Sequence, residues 1–215
     1  MAEPSNLPRI YVLAGTNGAG KSSIGGAILR EHGADYFNPD EAAAQIRQTN
    51  SHLSLAEAQS IAWREGLRLL KRAIAERLDY AFETTLGGKT IAKSLEGAVT
   101  NGIEVRVWYV GLDNPERHIA RVRSRVNRGG HDIPEDKIRE RYARSILNLM
   151  RLMPKLTEVR VYDNSVEADP HTGAMPEPRL IVHLDHCRIA GGCDLAATPE
   201  WAKPVVLTAL QIAGG

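Results

Sequence analysis

The sequence has few cysteines, few aromatic residues and almost no net charge. Its 215 residues include only two cysteines, Cys187 and Cys193, without the second Cys pair or the matched histidines of a zinc site. We expect two free thiols in a reducing cytosol, with a disulfide between them as the alternative. A net charge of +1 gives no chain-wide field that would attract nucleic acid or anionic lipid, so any such binding must come from local charge.

Long apolar runs are also missing. The amino-terminal residues lack the apolar core of a signal peptide, and no stretch reaches the roughly 18 apolar residues of a membrane span. We therefore expect a cytoplasmic protein that does not bind membranes. The composition, 43% hydrophobic and 25% charged, is that of an ordinary globular protein, and no repeat or low-complexity tract divides it. The length favours a single domain over residues 1–215.

Short β-branched and aromatic runs alternate with segments of helical spacing. One helix should begin at Ser54, which forms a capping box with Glu57, and others should begin near residues 113–116 and 132–135. This alternation predicts an α/β fold with a mainly parallel sheet covered on both faces. Residues 166–178 read as a loop, and the tail 187–215 is unassigned. The strand runs lie at residues 10–14, 34–38, 80–82, 105–110, 159–162 and 179–184.

The most specific motif is a phosphate loop directly after the first strand. Residues 15–22 read Gly-Thr-Asn-Gly-Ala-Gly-Lys-Ser, a complete G-x-x-x-x-G-K-[ST] that opens a helix. Its glycines let the backbone wrap around an anion, so that N–H groups and the helix N-terminus point at phosphate. Lys21 would reach the terminal phosphates of ATP, and the Ser22 hydroxyl would bind Mg²⁺. The residues expected to bind the nucleotide are Gly15, Thr16, Asn17, Gly18, Ala19, Gly20, Lys21, Ser22 and Ser23.

Polar residues at the ends of two other strands are candidates for acceptor binding, since ligands of open α/β sheets bind beyond the carboxyl ends of the strands. Asp40 follows the second strand and is a candidate base for an acceptor hydroxyl, or a holder of Mg²⁺ waters. The alternative is that Asp40 caps the helix that follows. Glu83 and Thr85 are two residues apart at the end of the third strand, so their side chains should point to the same side. They could hydrogen-bond a polyhydroxylated substrate. The alternative is that they form a solvated strand end.

A local basic cluster follows the fourth strand. Its arginines, with no acidic residue among them, are Arg117, Arg121, Arg123, Arg125 and Arg128. Arg121, Arg125 and Arg128 have the spacing of one helix face and would neutralise charge on a transferring phosphoryl group. The glycine pair 129–130 would let this segment, about residues 117–135, move as a lid. A solvated basic face or a nucleic-acid patch is the alternative, although only 5% of the residues are aromatic, which argues against base stacking.

Other residues favour structural interpretations. His131 is expected to be a hinge or capping residue, and Trp63 and Trp108 to lie in the core. Asp163 and Asn164 follow the last parallel strand, where they would either approach an adenine or form a turn.

Taken in order, these motifs resemble those of the zeta-toxin-like P-loop kinases, in particular the short branch described as predicted ABC-type ATPases. The resemblance covers about residues 9–165. It is carried by the phosphate loop, Phe37-Asn-Pro-Asp40, Phe82-Glu-Thr-Thr-Leu86, Arg121-Val-Arg-Ser-Arg-Val126, Arg128-Gly-Gly-His-Asp-Ile-Pro134 and Arg141-Tyr142. The resemblance implies a P-loop NTPase-type three-layer α/β/α fold with a helical lid. In the best-known members it implies ATP-dependent phosphorylation of the 3′-hydroxyl of UDP-N-acetylglucosamine.

The same resemblance implies roles for single residues. Asp40 matches the catalytic base, Glu83 and Thr85 match sugar contacts, and Arg121 or Arg125 together with Arg128 match phosphate-binding arginines. Toxicity and an antitoxin partner are implied by kinship alone. The chain departs from the larger toxins in a shorter path between the third strand and the lid, and in its tail.

The sequence therefore predicts an ATP- and Mg²⁺-dependent phosphotransferase with UDP-N-acetylglucosamine as the expected acceptor. Two alternatives stay open. One is a kinase of another small metabolite or of a nucleic-acid end, and the other is a nucleotide-binding regulatory module without productive transfer.

Overall fold

The computed structural model describes residues 7–21, 36–167 and 177–215. Its strands are β1 (Arg9–Ala14), β2 (Tyr36–Phe37), β3 (Tyr80–Thr84), β4 (Glu104–Gly111), β5 (Glu158–Asp163), β6 (Arg179–Asp185) and β7 (Arg188–Gly192). Its helices are α1 (Pro39–Thr49), α2 (Leu55–Glu76), α3 (Lys89–Thr100), α4 (Pro115–Val126), α5 (Glu135–Leu152) and α6 (Lys203–Gly214), with 3₁₀ turns at Met153–Lys155 and Glu200–Ala202.

The strands form one sheet in the order β2-β3-β1-β4-β5-β6-β7. The first five in that order pair in parallel, while β6 and β7 add to one edge antiparallel to their neighbours. The predicted mainly parallel α/β fold is thus confirmed. Because β1 lies at the centre, the phosphate loop that follows it emerges in the middle of the carboxyl edge, between the ends of β3 and β4.

The central strands are apolar on both faces, as parallel strands between two layers should be. Along β1, Ile10 and Val12 belong to the large apolar cluster on one face, whereas Tyr11 and Leu13 belong to a smaller cluster on the other. The same alternation on β4 places Trp108 in the smaller cluster, which confirms its predicted core position. The sheet therefore holds its strand ends, and the loops that follow them, in fixed positions.

Helix starts follow the capping residues in the sequence. The predicted capping box of α2 is present, with Ser54 Oγ accepting from the Glu57 backbone N–H at 3.3 Å and a Glu57 carboxylate oxygen accepting from the Ser54 N–H at 2.8 Å. The helix α1 is capped by Asn38, whose Oδ1 accepts from the Asp40 N–H at 2.9 Å. The alternative that Asp40 is the cap is therefore wrong, and its carboxylate has no capping role.

The tail that the sequence left unassigned completes the sheet and covers its large apolar cluster. Strand β7 pairs with β6, and Trp201 packs beside Gly111 at the end of β4 and donates from Nε1 to an Asp163 carboxylate oxygen at 3.0 Å. Both cysteine thiols are free. Among the residues that the structure describes, no helix combines the length and apolarity needed to cross a membrane.

The close approach of Trp201 to Gly111 gives a stability prediction. A Cβ at Gly111 would lie 2.2 Å from the indole ring, so Gly111→Ala should lower the free energy of unfolding by about 1–3 kcal/mol. The matched control is Gly97→Ala in α3, where a Cβ meets nothing within 4 Å and should add about 0.4–1 kcal/mol. Urea unfolding of the two variants measures both, and equal stabilities would contradict the packing described here.

Candidate active site

The phosphate loop has the backbone conformation that its glycines allow. Gly15, Gly18 and Gly20 have φ angles of +138°, +83° and +89°, a region that favours glycine. These positions also leave no room for a side chain. A Cβ at Gly15 would lie 2.1 Å from the Val110 carbonyl oxygen, and a Cβ at Gly18 would lie 2.6 Å from the His118 carbonyl oxygen. The loop is therefore pressed against the end of β4 and against α4.

Three side chains from different elements anchor this loop. The protonated Nδ1 of His118 donates to the Asn17 carbonyl oxygen at 2.8 Å, and Arg141 Nη1 of α5 donates to Asn17 Oδ1 at 2.8 Å. The amide of Asn164, just after β5, donates to the Ala19 carbonyl oxygen at 2.8 Å. Asn164 thus fixes the loop directly. The carbonyl side of the loop is bonded to the protein, which suits a loop whose N–H groups face an anion.

Lys21, the last described residue of the motif, is buried and lies between the loop and β3. Its Nζ is 3.4 Å from the Thr16 carbonyl oxygen and 3.3 Å from Glu83 Oε1. The other oxygen of Glu83 accepts from the Tyr36 hydroxyl at 2.6 Å. An ammonium and a carboxylate, both with side chains at most 10% exposed, thus meet at the carboxyl edge of the sheet. The expected Mg²⁺ ligand Ser22, and Ser23, lie outside the described residues.

A cavity of about 440 Å³ opens beside Lys21. Asp40, Glu83 and Thr85, which the sequence named as acceptor contacts, line it together with Asn17 and Lys21 of the phosphate loop. Thr85 is held there by α5, since its carbonyl oxygen accepts from Ser145 Oγ at 2.6 Å. The further lining includes Phe37, Pro39, Ala56, Gln59, Ser60, Trp63, Leu67, Ile91, His131, Ile133, Lys137 and Arg141. The structure therefore brings the separate sequence motifs to one cavity.

The segment predicted as a lid contacts the candidate base. His131 Nε2 is 3.5 Å from one oxygen of Asp40, and Arg125 Nη1 is 3.9 Å from the other. Arg125 also donates to the His131 carbonyl oxygen at 3.2 Å. Burial lowers the pKa of His131, which the nearby Asp40 opposes and Arg125 reinforces. The hinge interpretation of His131 missed this contact, because the spacing of the sequence does not show how residues 117–135 fold back towards Asp40.

The arginine cluster differs from the expectation in two ways. Its charge is compensated by residues outside the cluster, since Arg117 pairs with Asp113 at 2.8 Å and with Glu167 at 2.6 Å. Likewise Arg123 pairs with Glu135. Arg121 donates to the Asn164 carbonyl oxygen at 2.8 Å. The expectation that Arg128 shares a helix face with Arg121 and Arg125 is wrong, because α4 ends at Val126 and Arg128 lies in the turn beyond it.

Two other residues lie at the cavity although the sequence assigned them no role there. Trp63 was expected in the core, but its side chain is 47% exposed and lines the cavity, so that expectation is wrong. Arg141 belongs to the motif run that carries the family resemblance, yet it was not named as a site residue. Trp63 lies on α2 and Arg141 lies on α5. The orientation of these helices above the sheet is set by tertiary packing, so the sequence pattern did not predict that the two side chains reach the cavity.

The buried His118 gives a pH prediction. Burial, reinforced by the charges of Lys21 and Arg121, lowers its pKa from 6.5 to about 4. The unfolded chain therefore binds more protons than the native protein between about pH 6.5 and pH 4, so the free energy of unfolding falls as the pH falls through that window. We expect a loss of about 3 kcal/mol from this group.

Urea unfolding across this pH window measures the effect. His118→Phe keeps a ring against Tyr142, whose ring centroid lies 5.5 Å away, and should flatten the pH dependence. Equal pH slopes for the variant and the wild type would show that His118 is not the group responsible.

Comparison with known proteins places the chain in a family. The family model described as Zeta toxin matches residues 2–172. The chain belongs to the zeta toxin family. A relative, an uncharacterized protein of Haemophilus influenzae, is 35% identical over 132 residues, which is 60% of this chain and 88% of that protein.

Solved structures share the fold of this zeta toxin family member. A chain in the crystal structure of AvrRxo1-ORF1:-ORF2 with ATP has a TM-score of 0.66 at 14% identity, over 95% of this chain and 64% of that one. A chain of the PezAT chromosomal toxin-antitoxin system of Streptococcus pneumoniae has a TM-score of 0.56 at 15% identity, over 82% and 72%. The family member thus spans less than two thirds of the first of these chains, and the likeness shows that it shares their α/β fold.

Proposed function

We propose that this zeta toxin family member is an ATP- and Mg²⁺-dependent phosphotransferase that phosphorylates a hydroxyl of a small acceptor. The observation that carries the proposal is the single cavity into which both Lys21 of the phosphate loop and the carboxylates of Asp40 and Glu83 open. A donor phosphate held by the loop and an acceptor hydroxyl beside Asp40 would share that cavity. The family membership and the fold both support this function.

Catalysis in this proposal depends on position and charge, as in other phosphoryl transfers. Asp40 orients the acceptor hydroxyl and takes its proton while the oxygen–phosphorus bond forms and the bond to the leaving ADP breaks. Lys21 and Arg125 neutralise charge on the transferring group. Lys21 is paired with Glu83 in the structure, so the terminal phosphate would compete with that carboxylate for the ammonium. Arg121, Arg125 and Arg128 do not line the cavity, but Arg125 lies 3.9 Å from Asp40. We keep Arg121 and Arg128 as further candidate phosphate contacts.

The residues present fit a nucleotide and Mg²⁺. The phosphate loop has three glycines with positive φ angles and ends at a buried lysine. This is the arrangement that binds phosphate in P-loop proteins. Among the described residues no cluster of three or more His, Cys, Asp or Glu could hold a metal alone. Mg²⁺ in phosphoryl-transfer sites keeps several waters and takes few protein ligands, so Ser22 with the phosphates would suffice. When bound, it supplies charge neutralisation at the phosphates.

The acceptor that we propose is UDP-N-acetylglucosamine, and a partner protein is part of the same proposal. The cavity offers the carboxylate of Glu83 and the hydroxyl of Thr85 to a polyhydroxylated ligand, and its volume lies in the range of small-molecule sites. The PezAT structure is of a toxin-antitoxin system, which supports an antitoxin as the partner.

The experiment is an ADP-release assay with ATP and Mg²⁺, alone and with a panel of hydroxylated acceptors that includes UDP-N-acetylglucosamine. A kinase should be stimulated by its acceptor, and mass analysis should find the acceptor heavier by one phosphoryl group. Tight ATP binding without any acceptor effect would instead indicate a regulatory module. A nucleic-acid end as acceptor would show a steep salt dependence of binding.

A further inference from the structure

Trp63 is an aromatic side chain that is about half exposed. The other two tryptophans of the chain are buried, Trp108 at 6% and Trp201 at 8% exposure, whereas Trp63 is 47% exposed. It lies on α2, whose buried face is formed by Ala58, Ala62, Gly66, Leu70 and Ala73. Trp63 falls beside that face and opens into the acceptor cavity. An indole that is half exposed at a cavity offers a large apolar face that a bound ligand can cover.

The helix α2 contacts the sheet at a position other than Trp63. The helix approaches β2 through Gly66, where a Cβ would lie 2.6 Å from the Phe37 ring. The residues one and two turns before Trp63 on the cavity side are small or polar: Gln59 and Ser60, then Ala56. Within the described part of the chain, neither the Gln59 amide nor the Ser60 hydroxyl makes a hydrogen bond of its own. The wall of the cavity on α2 thus combines an aromatic surface with a side-chain amide and a hydroxyl.

The cavity has two chemically different parts. One part carries the ionic side chains of the proposed transfer, Lys21, Asp40 and Glu83, and suits a hydroxylated group. The other part, on α2, combines Trp63 and Leu67 with the Gln59 amide, and suits a planar ring whose edge carries hydrogen-bonding groups. A nucleobase has that chemistry, and base–aromatic stacking is a general mode of its binding.

We propose that Trp63 is the specificity-determining contact of the acceptor site and stacks on the nucleobase of a nucleoside-type acceptor, whose edge Gln59 reads. This inference deepens the proposed function and depends on it for the position of the acceptor. It assigns the base to α2, and therefore leaves the hydroxylated portion of the acceptor for Asp40 and the end of β3.

Tryptophan fluorescence tests this assignment without catalysis. The full chain is saturated with a non-hydrolysable ATP analogue, so that the donor site is filled, and is then titrated with UDP-N-acetylglucosamine and the four common nucleoside monophosphates. Ribose 5-phosphate is the matched ligand without a base. Because Trp108 and Trp201 are buried, a ligand that stacks on Trp63 should quench the exposed component, and Trp63→Phe should abolish the quenching.

Calorimetric titration of the variants measures the contribution of the ring. Trp63→Ala should weaken binding of the base-containing ligand about 10- to 100-fold, whereas Trp63→Phe should stay within a few-fold of the wild type. Arg64→Ala, one residue along on the exposed surface of α2, is the matched control and should bind normally. The acceptor preference of the ADP-release assay should shift in parallel.

The outcomes separate this inference from the proposed function. Failure of every base-containing ligand to quench Trp63 at millimolar concentration, or equal affinity of Trp63→Ala and the wild type, would overturn the stacking role. If the ADP-release assay still responds to a sugar without a base, the kinase proposal stands and only the Trp63 assignment fails. Quenching by ribose 5-phosphate equal to that by nucleotides would likewise exclude a base platform.

Discussion

Asp40→Asn should reduce phosphoryl transfer by about 10²–10⁴-fold and leave the affinity for ATP unchanged. That range is the usual contribution of a general base. Asparagine keeps the shape of the side chain, and the backbone N–H of residue 40 still donates to the Asn38 cap, so α1 should start as before. The carboxylate lost is the one that lines the cavity and lies 3.5 Å from His131. Initial rates of ADP release with saturating acceptor, together with calorimetric ATP titration, separate the two effects.

The neighbouring carboxylate provides the control for Asp40. Glu41 lies in the same first turn of α1, but its carboxylate accepts from the Asn38 side chain at 3.1 Å and does not line the cavity. Glu41→Gln should therefore retain nearly full transfer. Near-normal turnover in Asp40→Asn, or an equal loss in the two variants, would remove Asp40 from the mechanism.

The second large effect is expected at Lys21. Lys21→Met should reduce transfer by about 10²–10³-fold, because it removes a buried ammonium that would stabilise the charge of the transferring phosphate. ATP should also bind more weakly, since the ammonium attracts the bound triphosphate as well. The measurements are the ADP-release rate and the calorimetric affinity for a non-hydrolysable ATP analogue.

Two further variants test the interpretation of Lys21. The double change Lys21→Met with Glu83→Gln removes both charges of the buried pair, so it disturbs the fold less, yet it should not restore transfer. Lys93→Met changes a lysine of α3 that does not line this cavity, and it should leave the transfer rate and the ATP affinity unchanged. Full activity in the double variant would mean that Lys21 serves only to neutralise Glu83.

Local patterns in the sequence were sufficient for most of the fold. The capping box at Ser54 and the proline at residue 115 mark the starts of α2 and α4, because these signals act within one turn of a helix. The apolar runs located β1, β3, β4 and β5 because parallel strands buried on both faces have few polar residues. The tail was different: β7 is mostly exposed and glycine-containing, so no run of apolar residues reveals it.

The candidate site could be predicted only where a motif is contiguous or follows a strand. The phosphate loop is contiguous, and Asp40, Glu83 and Thr85 lie at or just after the ends of parallel strands that all end at one edge of the sheet. His131 reaches the same cavity from the loop between α4 and α5, and Trp63 reaches it from one side of α2. Their positions depend on how α2 and that loop pack above the sheet, which sequence spacing does not encode.

The ion pairs of the arginine cluster also could not be predicted from the sequence. Within the window 117–130 it has no acidic neighbour, but in the fold Glu135 and Glu167 approach from distant parts of the chain. Charge compensation over long sequence separations is therefore invisible to a local count.

A crystal structure of the protein with Mg²⁺ and a non-hydrolysable ATP analogue tests the central claim most directly. The account predicts that the triphosphate lies on the N–H groups of residues 15–22, with Lys21 Nζ moved from Glu83 to the terminal phosphate and that phosphate facing the cavity beside Asp40. A triphosphate bound elsewhere, or a loop that stays closed on its own side chains at saturating nucleotide, would contradict it.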